Sequence, residues 1–246
     1  MDTNYNLIQH FTETDSSKVE SLIFKKEEQN ISHLVFFIHG FNVFGAWDSM
    51  FPGTQIIENT WTPVYISQPG FGYSEGERDY CGPNTYTNIA KAIEDISEKY
   101  NIPVENRVIW GVSRGAIVTS LLSAKYPDSA AAFICQSGAY DFKMYFQDLN
   151  KDLDINENIT SETKGASDQS LQERSVINFI KDIQKPILIL HGDKDKTINA
   201  SQAKTFSELL EKEAKKYELQ IVDGPHWIGP LVRKQFVYPF IKKIFE

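Results

Sequence analysis

The apolar run Val108-Ile109-Trp110 passes without a spacer into Gly111-Val112-Ser113-Arg114-Gly115 and then into the helix-forming stretch Ala116 to Ala124. Strand, sharp turn and helix are thereby compressed around one serine. A backbone that reverses so tightly crowds the positions flanking the turn, and glycine at both removes the side chains that would clash. Such a turn presses the serine hydroxyl outward. Gly and Ser are common residues, so five positions alone fit an ordinary turn equally well. The rest of the chain decides.

Apolar runs and helical periods alternate from Leu34 onward. Strands are expected at Leu34 to Ile38, Trp61 to Ile66, Val108 to Trp110, Ala131 to Cys135, Pro186 to Leu190 and Leu219 to Val222. Between them, Ile89, Ile93, Ile96 and Tyr100 mark the buried stripe of a helix opening near Asn84. Further helices are expected after the serine turn, over Ala200 to Lys216 and over Leu231 to Phe245. This alternation predicts an α/β protein with a mainly parallel sheet covered by helices on both faces. Val19 to Phe24, joined to the Leu34 strand through Lys25 to Asn30, predicts an antiparallel hairpin at the sheet's N-terminal edge. At 246 residues, 41% of them hydrophobic, the chain is expected to form one domain, residues 1–246.

A serine hydroxyl is a weak nucleophile at neutral pH, and its use requires a general base and a carboxylate that orients the base. Both candidates lie downstream. Pro186 to Leu190 runs into His191-Gly192-Asp193-Lys194-Asp195, which puts carboxylates at the carboxyl end of a buried strand. Leu219 to Val222 runs into Asp223-Gly224-Pro225-His226-Trp227, which puts a histidine at the same end of the sheet. Ser, then Asp, then His is the chain order of the α/β-hydrolase fold.

Five histidines compete for the role of base. His10 and His33 precede the buried strands and are expected at the surface. His39 and His191 each close a strand in a His-Gly pair, where an imidazole serves the loop backbone. His226 is left as the base. Asp193 and Asp195 both stand at the strand end, and either could instead cap the helix that begins near Ala200. Acyl transfer also needs two NH donors for the oxyanion, each worth roughly 3 kcal/mol. The NH of Arg114, first in its helix, is one. The NH of Phe41, in the His39-Gly40-Phe41-Asn42 loop after the Leu34 strand, is assigned as the other.

The first twenty residues are polar and acidic, so neither signal peptide nor membrane span is expected, and a cytoplasmic enzyme is the default. Cys81 and Cys135 fit no metal spacing and are expected to be free thiols. The net charge of −8 argues against nucleic acid and acidic membrane surfaces as partners. The expected partner is a small molecule or short peptide; the oligomeric state stays open. Residues 142–175 break the alternation with a polar stretch, read either as a lid over the site or as a surface loop. Within it Asp152 to Asn156 is no calcium loop, because Glu157 stands where the turn needs Gly and Thr163 where a bidentate Glu is required.

These segments resemble α/β-hydrolases, and more narrowly the catalytic domain of the prolyl-oligopeptidase and acylaminoacyl-peptidase group. Ile189 to Ile198 is similar to the hydrolase pattern His-Gly-x-x-Asp followed by an apolar residue, which implies that Asp195 is the acid. Gln172 to Ile177 and the strand after it resemble that group's Arg-Ser-Pro segment, with Val176 in place of the proline. Gln68 to Gly76 is similar to the loop after the fourth core strand. The resemblance covers most of Leu34 to Phe245. The group's N-terminal β-propeller has no counterpart in this sequence, so small esters, amides or thioesters are the expected substrates.

The Arg114 side chain is read either as reaching a substrate carboxylate or carbonyl, or as a structural ion pair. Phe41, Phe44, Trp47, Phe71, Tyr73 and Trp227 are candidates to wall an apolar pocket, with Phe44, Tyr73 and Trp227 assigned to substrate. The expectation is a serine hydrolase acting through an acyl-enzyme. Ser113, His226 and Asp195 are its catalytic residues and Phe41 and Arg114 its oxyanion donors, with no cofactor and no metal. An acyltransferase or cyclase using the same three residues, and a non-catalytic ligand-binding member of the fold, are the alternatives.

Overall fold

The computed structural model describes residues 5–28, 30–42, 44–48, 61–149 and 154–246. An eight-stranded sheet runs in the order β1-β2-β4-β3-β5-β6-β7-β8. The strands are β1 (Tyr5–Glu13), β2 (Lys18–Lys26), β3 (Leu34–Ile38), β4 (Thr62–Ile66), β5 (Arg107–Val112), β6 (Ala132–Gln136), β7 (Ile187–Gly192) and β8 (Tyr217–Val222). From β4 to β8 all neighbours pair in parallel, while β1 with β2 and β2 with β4 pair antiparallel.

Successive side chains of a strand point to opposite faces, so an apolar strand needs cover on both. Leu34, Phe36 and Ile38 of β3 face α1 (Pro83–Lys99) and α2 (Arg114–Lys125). Val35 and Phe37 join Trp110, Val237 and Phe240 beneath α7 (Pro230–Phe245). Helix α1 turns Ile89, Ile93 and Ile96 inward, at the spacing expected of one helical face. Helix α6 (Ser201–Lys212) lies between β7 and β8 in the chain and packs on both.

The edge hairpin differs from expectation in its partner. Strand β2 forms the hairpin with β1, from Tyr5 opposite Lys26 to Glu13 opposite Lys18, and its other neighbour is β4 rather than β3. Strand β3 is buried along its whole length and is enclosed by β4 and β5. Strand β1 was not expected because its polar, half-exposed residues lack the continuous apolar run of an inner strand. It also accounts for His10, expected at the surface: on β1 the imidazole is half-buried, with Nε2 2.7 Å from Asp95 Oδ2 on α1. His33 likewise is half-buried, 4.6 Å from the Phe245 ring.

The polar stretch 142–175 contains three short helices, α3 (Phe142–Asp148), α4 (Asp154–Glu162) and α5 (Asp168–Glu173). Asp141 and Ser167 cap the first and third, each accepting a hydrogen bond from an NH of the first turn. Residues 150–153, with part of the rejected calcium-loop segment, lie outside the described residues. Among the described residues no helix is long and apolar enough to cross a membrane.

Candidate active site

Ser113 lies between β5 and α2 with φ 55° and ψ −120°, a conformation that costs a non-glycine residue about 1–3 kcal/mol. The surroundings enforce it. A Cβ on Gly111 would lie 2.0 Å from the Gly115 carbonyl oxygen, and one on Gly115 would lie 2.1 Å from that of Ile38. The Ser113 NH is tied to the Gln136 carbonyl at 2.8 Å, and the Ser113 carbonyl accepts the Ala116 NH at 2.8 Å. Turn, sheet and helix are thus locked around the hydroxyl.

Three loops meet at this point. Ser113 Oγ is 2.9 Å from His226 Nε2, and His226 Nδ1 is 2.7 Å from Asp195 Oδ2. The other carboxylate oxygen, Asp195 Oδ1, accepts the NH groups of Thr197 and Ile198, both at 2.9 Å. Burial works to raise the Asp195 pKa, but hydrogen bonds from His191, His226 and the Ile198 NH outweigh it and hold the carboxyl far below the usual carboxylate range. An ionised Asp195 accepts, so His226 Nδ1 donates and Nε2 keeps its lone pair toward the serine hydroxyl. Asp193, the rival carboxylate, turns instead to the Gly224 NH at 3.1 Å.

His39 and His191 each bind loop backbone beside the site. His39 is fully buried, with Nδ1 donating to the Gly40 carbonyl at 2.7 Å and Nε2 accepting the Gln68 NH at 3.0 Å. Burial lowers its pKa to about 4. His191 Nε2 reaches the Ile198 carbonyl at 2.9 Å. Burial also pushes the Cys81 thiol up to about 12, and Cys135 is raised by the same cause, which leaves both as protonated, buried thiols.

The sequence pattern of the prolyl oligopeptidase family matches residues 70–246, which include Ser113, Asp195 and His226. The chain belongs to that family. Its fold is that of the α/β-hydrolase superfamily. An uncharacterized peptidase of Bacillus subtilis, YtmA, is 23% identical over 150 residues, 61% of this chain and 57% of that protein. The acylaminoacyl peptidase of Pyrococcus horikoshii superposes with a TM-score of 0.78 at 18% identity, over 100% of this chain and 42% of that one. The esterase Pf2001 of Pyrococcus furiosus superposes with a TM-score of 0.72 at 16% identity, over 99% of this chain and 91% of that one. The chain spans between 24% and 63% of the length of three curated relatives that it matches.

In this prolyl oligopeptidase family member a cleft of about 320 Å³ opens at Ser113 and His226, with Phe37, Phe41, Val112 and Trp227 among its apolar walls. Gly40 lines the cleft tight against the nucleophile, where a Cβ would lie 3.3 Å from both the Cβ of Ser113 and the Val112 carbonyl oxygen. Phe41 and Trp227 both line this cleft. Phe44 and Tyr73, assigned to substrate, do not line the cleft and are 62% and 66% exposed. The NH of Tyr73 donates to Glu20, and its ring packs edge-on against Trp47. Both stand in loops whose backbone path no local pattern discloses.

Of the two readings of Arg114, the ion pair is the one observed. Arg114 is 2% exposed, and its guanidinium pairs with Glu162 of α4 at 2.7 Å, over the rings of Phe71 and Tyr80. Burial opposes its charge, yet the neighbours Cys81, Glu162 and Tyr80 together hold its pKa above the usual arginine value. The sequence reading missed Ile155 of α4, which lines the cleft, and Glu20. Glu20 is fully buried and accepts four hydrogen bonds, from Gln9, Trp47, Ser67 and the Tyr73 NH. A lone carboxylate inside the apolar β2 pattern was the signal.

Proposed function

We propose that the protein is a serine hydrolase that cleaves small esters, amides, thioesters or short peptides through an acyl-enzyme on Ser113. The continuous hydrogen-bonded line from Ser113 Oγ through His226 to Asp195 carries this reading. His226 Nε2 takes the hydroxyl proton as Oγ attacks the carbonyl carbon. The bond to the leaving group then breaks as the imidazolium returns that proton to it. Water repeats the sequence in the second half and frees Ser113. Asp195 fixes the tautomer and stabilises the imidazolium.

The NH groups of Phe41 and Arg114 are the proposed oxyanion donors. They belong to the two segments that meet beside Ser113, where the missing side chains of Gly40 and Gly115 permit close approach. The apolar walls and the modest volume of the cleft favour a small uncharged acyl or leaving group over a folded protein. The peptidase and esterase names of the relatives favour the same range of carbonyl substrates.

Rapid-quench hydrolysis of a p-nitrophenyl ester with mass spectrometry of the intact protein tests the pathway. A nitrophenol burst matched by an acyl adduct on Ser113 is expected. Steady turnover with a mass increment on another residue would contradict it.

A further inference from the structure

The parallel ladder between β3 and β5 ends at Ile38 opposite Gly111. The two proposed oxyanion donors lie beyond that end, Phe41 three residues past Ile38 and Arg114 three residues past Gly111. Their relative position therefore depends on contacts outside the ladder.

One side chain spans the gap. Gln68 leaves the carboxyl end of β4, crosses over β3 and reaches the start of α2 on β5. Its Nε2 donates to the His39 carbonyl at 2.8 Å, and its own NH donates to His39 Nε2 at 3.0 Å. Its Oε1 accepts from Arg114 Nε at 3.1 Å. His39 in turn donates from Nδ1 to the Gly40 carbonyl at 2.7 Å, the peptide that carries the Phe41 NH. On the other side Arg114 Nη2 is anchored to Glu162 of α4 at 2.7 Å, and the same Glu162 oxygen accepts the Tyr80 NH at 3.0 Å. Gln68 and His39 are fully buried and Arg114 nearly so.

We propose that Gln68 is a positioning residue that holds the two oxyanion donor segments in register, with the Arg114–Glu162 ion pair as its anchor in the 142–175 insertion. This rests on the serine hydrolase reading above. Three adjacent strand ends are bound into one unit by hydrogen bonds sheltered from water, so the donors are set before substrate arrives. That fixed geometry is the source of oxyanion stabilisation, and a displacement of about 1 Å at such a site can cost on the order of 100-fold. The insertion then acts from beneath the site as well as lining the cleft through Ile155.

The test uses Gln68→Met and, because that change leaves buried polar groups unpaired, also the double variant Arg114→Met/Glu162→Met. The double variant removes both charges of a buried pair together, a change that cores often tolerate, and it retains the Arg114 NH. Fluorophosphonate labelling of the wild type comes first, and an unlabelled wild type overturns the serine hydrolase reading itself. For a labelled, active wild type, kcat on a p-nitrophenyl ester is expected to fall about 10- to 100-fold in each folded variant, with KM within about threefold. Affinity for a trifluoromethyl ketone, whose adduct carries an oxyanion, is expected to fall by the same factor as kcat. Unchanged kcat, or a loss of kcat with undiminished affinity for the ketone, would overturn the positioning role while leaving the nucleophile assignment intact.

Discussion

His191 Nε2 lies 3.1 Å from Asp195 Oδ2, the same oxygen that faces His226. Asp195 is thus held by two imidazoles and two backbone NH groups, and its pKa is depressed in the folded state. A depressed carboxyl contributes stability that is fully present above the unfolded value near 3.9 and is lost as pH falls through the folded one. Asp195→Asn is therefore expected to destabilise by about 2 kcal/mol, by a constant amount from pH 5 to 8 and by less below pH ~4. Its kcat should fall by about 10⁴-fold through loss of the tautomer. Urea unfolding across this range, together with ester kinetics, checks both. With Asp195 ionised throughout, the acid limb of kcat/KM should follow a single proton.

His39 titrates with the same sign in a higher pH window. Its folded pKa, lowered to about 4 from 6.5, keeps it neutral while the unfolded chain takes up a proton. The unfolded state binds more protons between these values, so stability falls on acidification from about pH 6.5 to 4, by roughly 3 kcal/mol from this residue. The cation would also place a proton on Nε2, where the Gln68 NH already points. His39→Gln is expected to be less stable at pH 7 but to show a flatter decline over that window. Denaturant titration at half-unit intervals measures the slope, and an unchanged slope would refute the assignment.

Gly115 and Gly224 make a paired test of the turn. A methyl group at Gly115 would meet the Ile38 carbonyl, whereas at Gly224 no atom lies within 4 Å. Gly115→Ala should cost at least about 3 kcal/mol and lose soluble protein, and Gly224→Ala should change stability by less than about 1 kcal/mol. Thermal unfolding of both variants separates steric crowding from a general sensitivity of glycines.

Glu20→Gln is expected to destabilise by about 2 kcal/mol although the two side chains match in shape. Both carboxylate oxygens accept two donors each, and an amide nitrogen would face two of them. Equal stability of the variant would mean that the four hydrogen bonds are not made in solution.

Much of the sheet was legible because burial on both faces forces continuous apolar runs, as in Leu34 to Ile38 and Pro186 to Leu190. The serine turn was legible because its two glycines answer a steric demand that few arrangements share. Strand β1 was not, since an edge strand with one solvent face needs no such run, and the Val19 to Phe24 segment was consequently joined to the wrong neighbour. At the site, the positions of Ser113, His226 and the two aspartates followed from strand ends. Which aspartate faces the ring did not, because it depends on the loop turning Asp193 toward Gly224. The Arg114–Glu162 and Gln68–His39 contacts join residues 48 and 29 positions apart, and no local pattern encodes them.

Ser113 is proposed as the nucleophile, with His226 as its base. Intact-mass analysis after treatment with a fluorophosphonate tests it most directly, on the wild type, Ser113→Ala and His226→Ala, each first shown to be folded. A single adduct on the wild type, at Ser113, is expected, with none on Ser113→Ala and markedly slower labelling of His226→Ala. Undiminished labelling of Ser113→Ala would contradict it.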